Sequence, residues 1–129
     1  MSENPSQSPF PSATTDAEVR SYATFTHVVP LLAHLGGPFI IPLVAAIIMW
    51  QIKKDQSPFL DDHGRESTNF QLSLLIYAVL VIPIAVVTCG MGALLAIPLL
   101  VLNIVGCVLA AKAAHRGEYY RYPMSIRIV

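Results

Sequence analysis

Few residues of this chain could do chemistry, and two histidines stand out among them. His27 and His34 are seven positions apart, which places them on one face of a helix, about 10 Å apart along its axis. That distance is too long for one metal ion to bind both rings. Proton relay and haem ligation are open to such a pair, although hydrogen bonding between helices explains it more simply.

A second group of titratable side chains lies between positions 61 and 66. Asp61, Asp62, His63 and Glu66 are all found there. They could form an oxygen-rich metal site, but helix capping by Asp61 or Asp62 accounts for them more simply. The sequence has no nucleophile elbow, no HExxH zinc motif and no phosphate-binding loop. We therefore predict no catalytic residue, no metal and no cofactor, and a protein that is not an enzyme.

A stripe of four polar side chains follows at spacings of three, four and four residues, formed by Glu66, Asn69, Ser73 and Tyr77. Such spacing places them on one helix face. Lipid would not solvate this stripe, so we expect it to turn inward and meet the first helix in a hydrogen-bonded core. The predicted intramembrane network consists of His27, His34, Glu66, Asn69, Ser73, Tyr77 and Asn103.

The composition indicates the environment of these residues. Of 129 residues, 54% are hydrophobic and only 12% are charged, about half the usual charged share of a soluble domain. A soluble protein this small could not hide so much apolar surface from water. The formal net charge is zero, which provides no basic field for nucleic acid. We therefore expect a lipid bilayer as the main partner and no nucleic acid.

Two apolar segments, 70–88 and 92–111, each have about the ~20 residues that a hydrocarbon core requires. The uncharged turn "CGMG" joins them, and both must be helical because lipid offers the backbone no hydrogen-bond partners. Region 22–52 is apolar but interrupted by "HLGGP" at 34–38. Two shorter helices that cross or re-enter the bilayer are preferred there, and a single kinked span is the alternative.

The predicted fold is an all-α integral membrane protein with four transmembrane or re-entrant helices, arranged as two antiparallel hairpins. The helices are expected at about 19–35, 39–53, 64–88 and 91–115, with a loop over 54–63. A Ser/Pro-rich tail over 1–17 should be disordered, with Asp16 as the first helix cap. Residues 116–129 should form an extended interfacial tail after a helix stop at Gly117.

The cationic residues indicate the orientation. All eight lie near position 20, between 53 and 65, or after position 111, and the turns at 35–38 and 89–92 carry none. With four helices the three cationic regions share one side, whereas three spans would leave Arg20 alone on the other. The positive-inside rule then predicts a bacterial inner-membrane protein with both termini and the middle loop in the cytoplasm.

Small residues on the last span indicate close helix packing. Gly106 and Ala110 are four residues apart, and Ala96 and Asn103 lie on the same face. Such a face permits close approach of a second helix. Packing within the chain is the default interpretation, and a homo-oligomer through the Gly106/Ala110 face is the alternative.

Two motifs carry a resemblance. "WQIKKDQSPFLDDHGRESTNFQ" (50–71) and "GEYYRYP" (117–123) resemble a family of small bacterial membrane proteins known only as a domain of unknown function. That family is similar to the channel-forming Tic subunit of the chloroplast inner-envelope translocon. The resemblance covers about residues 20–129 and departs mildly at Ser67 and Thr68, where alanine and a larger apolar residue are usual. It implies a four-helix membrane fold and no established activity.

The residues of these two motifs are also candidates for the functional site. In the middle motif they are Trp50, Lys53, Lys54, Asp55, Ser57, Pro58, Phe59, Asp62, His63, Gly64, Glu66, Asn69, Phe70 and Gln71. In the C-terminal motif they are Gly117, Glu118, Tyr120, Tyr122 and Pro123. A histidine is also common in the first helix of this family, and either His27 or His34 could match it.

Two functions are compatible with these features. The first is a non-enzymatic structural or accessory membrane component that assembles with itself or with a protein-translocation machinery. The alternative is a small transporter or channel in which the polar stripe and the two histidines line a path through the membrane. A membrane enzyme ranks third, because its only candidate groups would be the four between positions 61 and 66.

Overall fold

A computed structural model describes residues 16–129. Helix α1 spans Ala17–Ala33, α2 Ile40–Lys53, α3 Pro58–Val87 and α4 Ala96–His115, with 3-10 turns at His34–Gly36 and Met91–Leu95. No strand occurs in residues 16–129, so the all-helical prediction is confirmed for this part of the chain. The disorder predicted for the N-terminal tail falls, up to residue 15, outside the described residues.

Helix α1 begins and ends where the sequence indicates. The Asp16 carboxylate accepts hydrogen bonds from the backbone N–H groups of Glu18 and Val19, at 2.9 and 3.3 Å. This N-cap satisfies two donors that lack partners inside the helix. The helix ends in the 3-10 turn at His34–Gly36, where two glycines and a proline follow each other. Region 22–52 is thus two helices and not one kinked helix.

Helix α3 begins at Pro58, six residues before the expected start at 64. Ser57 is the N-cap, its hydroxyl accepting the N–H of Phe59 at 3.2 Å, and proline is favoured at the first helical position because its missing N–H costs nothing there. The expected caps Asp61 and Asp62 lie inside the first turns, and most of the expected loop is helical. At 30 residues, α3 is about 45 Å long, well beyond a ~30 Å hydrocarbon core.

The turn between α3 and α4 depends on two glycines. Gly90 has φ of 94°, a left-handed conformation that glycine adopts without steric cost. At Gly92, a Cβ would lie 2.8 Å from the backbone of Ile84 and Ala85, so only glycine permits this approach of the two segments. The regular helix α4 then starts at Ala96, after one 3-10 segment.

The helices pair differently from two simple hairpins. Helix α1 packs mainly on α4 and α2, and α2 packs mainly on α3, whereas α3 and α4 have few contacts beyond their connecting turn. The C-terminal tail lies between α3 and α4 near their other ends, where Tyr122 stacks on Phe70 of α3 and contacts Gly106 of α4. The main core cluster contains Phe70, Leu74, Cys107, Ala110 and Tyr122.

We use "polar end" for the side of the bundle where α1 and α3 begin and α2 and α4 end. The Tyr22 hydroxyl of α1 donates to the Met49 carbonyl of α2 there, at 2.8 Å. A second core cluster, formed by Ala23, Phe59, Leu60 and Ala114, joins α1, α3 and α4 at the same end. The two interhelical turns, at 34–39 and 88–95, lie at the opposite end.

The outer surface away from the polar end is apolar. Two helical segments, Pro58–Val87 and Met91–His115, are long and apolar enough to cross a membrane, and Ile40–Lys53 is a shorter apolar helix. Their outward side chains include Val87, Ile97 and Val101, each more than half exposed. A continuous apolar surface of this kind fits contact with a lipid bilayer.

Candidate functional site

The polar stripe of α3 binds the C-terminal tail and not the first helix, which corrects the sequence-based expectation. The Asn69 side-chain oxygen accepts the N–H groups of Ile128 and Val129, both at 2.9 Å. Its amide nitrogen donates to the Val129 carbonyl at 3.3 Å. One turn further, the Ser73 hydroxyl accepts the N–H of Ile126 at 2.7 Å. Three tail amides are therefore held by two side chains.

The ends of the stripe hold the rest of the tail. The Tyr77 hydroxyl donates to the Met124 carbonyl at 2.6 Å. At the other end, the Glu66 carboxylate accepts the N–H of Tyr122 at 3.2 Å and pairs with the Arg127 guanidinium at 3.1 Å. Glu66 is only 4% exposed, and a buried carboxylate of this kind requires charged and hydrogen-bonding partners.

The stripe has a clear physical role. An extended tail has no helix or sheet ladder for its backbone groups, and burying them without partners is costly. The four stripe side chains supply partners at helical spacing, which lets the tail descend to Tyr77 and return to Asn69. Irregular backbone is tolerated at membrane depth only when protein satisfies it in this way.

Arg121 fastens the start of the tail to the polar end. Its guanidinium donates two hydrogen bonds to the Asp62 carboxylate, at 2.7 and 2.9 Å. This bidentate hydrogen bond to Asp62 raises the pKa of Arg121 above its usual value. Asp62 therefore acts as an anchor for the tail and not as a helix cap.

A buried chain of aromatic and imidazole groups lies beside the stripe. The Tyr122 hydroxyl is 2.7 Å from His27 Nδ1, and His27 Nε2 is 2.8 Å from His63 Nδ1. His63 Nε2 is 2.9 Å from the Glu118 carbonyl. One proton arrangement satisfies all three contacts, with Tyr122 donating to His27, His27 to His63, and His63 to the carbonyl. Both histidines are neutral in that arrangement, and the bonds link α1, α3 and the tail.

A weaker branch continues from Tyr122 toward the other end of the bundle. The Cys107 sulfur lies 3.9 Å from the Tyr122 hydroxyl and 3.5 Å from the Asn103 side-chain oxygen. The Asn103 amide nitrogen is 3.2 Å from His34 Nδ1, which also lies 3.0 Å from the Pro30 carbonyl, so that this ring nitrogen serves one of the two contacts at a time. Gln71 reaches the Cys107 sulfur at 3.8 Å. Of the predicted network, His27, His34 and Asn103 are thus joined in one chain, while the stripe faces the tail.

Trp50 closes the junction between α2 and α3. Its indole N–H donates to the Asp61 carboxylate at 2.8 Å, and the Lys54 and Arg65 cations lie 5.8 and 5.9 Å from the ring centroid. A Cβ at Gly64 would overlap the indole ring. Trp50 and Gly64 therefore fit each other, which gives both motif residues a packing role.

The remaining motif residues are placed as follows. Lys53 lies 3.9 Å from the Glu18 carboxylate, and Asp55 is exposed in the turn before α3. The Phe59 ring packs edge-on against His63 with centroids 4.4 Å apart. Tyr120 packs edge-on against Tyr122, and the exposed Pro123 forms a turn together with Met124.

Gly117 ends α4 as predicted, with φ of 77°. The N–H of Glu118 bonds to the Ala113 carbonyl at 2.9 Å, and that of Gly117 to the Ala114 carbonyl at 3.0 Å. This Schellman arrangement turns the chain back toward α3. It also positions the Glu118 carbonyl that His63 binds.

The sequence analysis missed the pairing of His63 and Tyr122 with His27. The available signal was that His63 and Tyr122 belong to the two motifs that carry the resemblance. The structure brings those motifs together through the His63–Glu118 and Glu66–Tyr122 hydrogen bonds. The motifs thus meet at one site where the tail docks.

The face of α4 proposed for self-association is already filled. A Cβ at Gly106 would lie 3.0 Å from the Phe70 ring and 3.1 Å from the Tyr122 ring, and Ala110 is fully buried. Packing within the chain, the default interpretation, is therefore what the structure has. A second copy that used the Gly106/Ala110 face would have to displace these contacts.

Residues 16–129 contain no group of three or more His, Cys, Asp or Glu side chains that could hold a metal ion.

An apolar cleft of about 760 Å³ separates α3 from α4 below the tail, and Tyr77 and Met124 lie at its edge. The Tyr77 hydroxyl already donates to the Met124 carbonyl.

Comparison with known proteins places this architecture in a family. No curated protein and no solved structure matches the chain. The model of the MamF/MmsF family, described as the magnetosome magnetite crystal formation protein family, matches residues 18–129. That match begins in α1 and includes both motifs and the tail, whereas no similarity to the Tic subunit is shown. The chain therefore belongs to the magnetosome magnetite crystal formation protein family.

Proposed function

We propose that this protein is a non-enzymatic, membrane-embedded accessory component whose docked tail gives the polar end a fixed shape. The observation that carries the proposal is the set of hydrogen bonds by which Glu66, Asn69, Ser73 and Tyr77 hold the tail. Side chains that could have lined a polar path are instead used to hold the chain's own backbone. Such a use favours a structural role over transport or catalysis.

The proposed topology has four helices that each cross or re-enter the membrane. The polar end holds the cationic regions near Arg20, Lys53 and Lys112, so the positive-inside rule favours the cytoplasm for it and for both termini. In a bacterium this would be the inner membrane or a compartment derived from it. The family's description adds the magnetosome membrane as the specific setting in which the accessory role would serve crystal formation.

The partners belong to the same proposal. A fixed polar end, formed by the tail and the starts of α1 and α3, is a surface that another membrane protein or a second copy can recognise. The translocation machinery suggested by the sequence resemblance is one class of such partners. Recognition through this surface requires the tail to be docked.

The test compares complexes captured from native membranes in a mild detergent. The full chain is compared with a variant carrying Asn69→Ala and Ser73→Ala, and with the control Ser21→Ala, since the Ser21 hydroxyl donates to the Ala17 carbonyl of its own helix. We expect the double variant to insert normally but to lose the specific complex that the control retains. An unchanged complex in the double variant would contradict the proposal.

A small transporter or channel is the second candidate, and the buried chain from His34 through Asn103, Cys107 and Tyr122 to His27 favours it. Asparagine and thiol groups relay protons poorly, and the chain ends at a backbone carbonyl, so we rank this candidate lower. Flux measured in proteoliposomes with the unmodified protein and with Asn103→Ala decides between transport and the accessory role. Transport predicts altered flux with normal folding, and the accessory role predicts reduced stability with no flux in either protein.

A further inference from the structure

A groove between α1 and α4 combines an apolar floor with a cationic mouth. Its volume is about 480 Å³. Val28 of α1 and Val108 of α4 lie in its floor, and Lys112, His115 and Arg116 line it at the polar end. It is separate from the cleft between α3 and α4, and it meets the docked tail at Cys107 and Arg116. We propose that this groove binds one anionic phospholipid, with the phosphate at the cations and an acyl chain along the floor.

The charges of the mouth suit a phosphate. Lys112 makes no ion pair within residues 16–129, and its aliphatic stem can lie along the groove while its ammonium reaches the headgroup layer. Arg116 pairs with Glu118 at 3.2 Å, but both side chains are more than half exposed. An exposed pair of this kind is weak, so a phosphate can share the guanidinium. Arg20 adds a third cation, one turn before Thr24 on the same face of α1.

The floor suits an acyl chain. Below Lys112, the same face of α4 continues through Val108 and Ile104, which are 41% and 45% exposed. From Lys112 to Ile104 this strip is about 12 Å long at ~1.5 Å per residue. The one hydroxyl in the groove, that of Thr24, already donates to the Arg20 carbonyl. The floor therefore offers no new polar contact, and a hydrocarbon chain matches it.

The position of the groove along the helices favours a phospholipid over free phosphate as its ligand. The cations lie at the polar end, and the apolar strip runs toward the other end, along a helix that can cross a membrane. Basic sites between transmembrane helices at the headgroup level bind anionic lipid headgroups for this reason. A free phosphate would fill only the mouth and leave the apolar floor empty.

The experiment uses the full chain purified in a neutral detergent, with bound lipids counted by native mass spectrometry. Phosphatidylglycerol is titrated against phosphatidylcholine, and inorganic phosphate is added as a competitor. We expect one retained phosphatidylglycerol. Lys112→Gln with Arg116→Gln should weaken its binding by roughly thirty-fold, from the typical contribution of each cation near an anionic headgroup.

Two controls make the test specific. Lys54→Gln with Arg65→Gln removes the same charge at the polar end but outside the groove, and it should leave lipid binding within about two-fold. Val108→Trp keeps every cation but fills the floor, and it should also lose the lipid. Thermal unfolding in lipid-free detergent confirms that each variant is folded.

Four results would overturn the proposal. They are equal weakening by the two charge-removing variants, equal retention of phosphatidylcholine and phosphatidylglycerol by the unmodified protein, unimpaired binding in Val108→Trp, and displacement of the lipid by millimolar inorganic phosphate. The last result would show that the mouth binds phosphate without its acyl chain.

Discussion

The most informative single substitution in this protein is the one that removes the Tyr122 hydroxyl. Tyr122 is 3% exposed, its ring stacks on Phe70 with centroids 4.0 Å apart, and its hydroxyl lies 2.7 Å from His27 Nδ1. Tyr122→Phe keeps the stacked ring and removes only the hydrogen bond. It also leaves a fully buried imidazole nitrogen without its partner, which costs about 1–3 kcal/mol.

Thermal unfolding of the full chain in detergent measures this loss. We expect Tyr122→Phe to lower the melting temperature by roughly 3–10 °C, the shift that such a free-energy change produces in a domain of this size. Tyr120→Phe is the matched control, because no hydrogen bond of its hydroxyl is found in residues 16–129. A Tyr122→Phe variant as stable as the Tyr120→Phe control would refute the assigned hydrogen-bond chain.

Alkaline pH provides a second measurement of the same group. Burial raises the pKa of the Tyr122 phenol well above its usual value. In the unfolded chain the phenol ionises near pH 10, so its contribution to stability is complete below that pH and is lost as pH rises further. The stability difference between the unmodified protein and Tyr122→Phe should therefore shrink above about pH 10. A difference that grows with pH would contradict the buried, neutral phenol.

Two other predictions concern packing and exposure. Gly64→Ala should destabilise the protein by roughly 1–3 kcal/mol in chemical unfolding, because a Cβ at this position overlaps Trp50. Gly36→Ala is the control, because a Cβ there meets no atom within 4 Å. Equal destabilisation by the two variants would contradict the close packing of Gly64 against Trp50. A maleimide should label one thiol per folded chain, the exposed Cys89, and also the buried Cys107 after denaturation, as counted by mass spectrometry. Labelling of both thiols in the folded chain would contradict the packing around Cys107.

The sequence predicted the helices well where local signals agree. Asp16, the glycine break before Pro38 and Gly117 each act through the backbone within a few residues, so they can be read without knowing the fold. The expected start of α3 at residue 64 is six residues too late, because a proline such as Pro58 is also typical of a turn. A serine followed by proline is equally a helix start, and only the packing of the following residues decides between them.

The partner of the polar stripe could not be predicted from local patterns. Helical spacing shows that Glu66, Asn69, Ser73 and Tyr77 share a face, and lipid physics shows that the face must be covered. Neither identifies what covers it. The tail lies about 50–60 residues further along the chain, and its docking depends on the αL turn at Gly117 and on its passage between α3 and α4.

The same limit applies to the buried histidines. The spacing of His27 and His34 is local and can be read from the sequence, whereas His63, whose ring His27 contacts at 2.8 Å, is 36 positions away. The predicted loop over 54–63 includes His63, because the sequence places the start of α3 after it. An error in one helix boundary thus concealed a residue of the central hydrogen-bond chain.

Hydrogen exchange of the tail amides tests the docking of the tail on α3 most directly. In the full chain in detergent, the amides of Ile126, Ile128 and Val129 should exchange slowly. The side-chain oxygens of Ser73 and Asn69 accept hydrogen bonds from these amides. Asn69→Leu should raise the rates at Ile128 and Val129 by roughly ten-fold or more. Thr68→Val, on the same helix, should leave these exchange rates unchanged, because the buried Thr68 hydroxyl has no hydrogen-bond partner among residues 16–129. Exchange at the rate of a free peptide in the unmodified protein would contradict the docked tail.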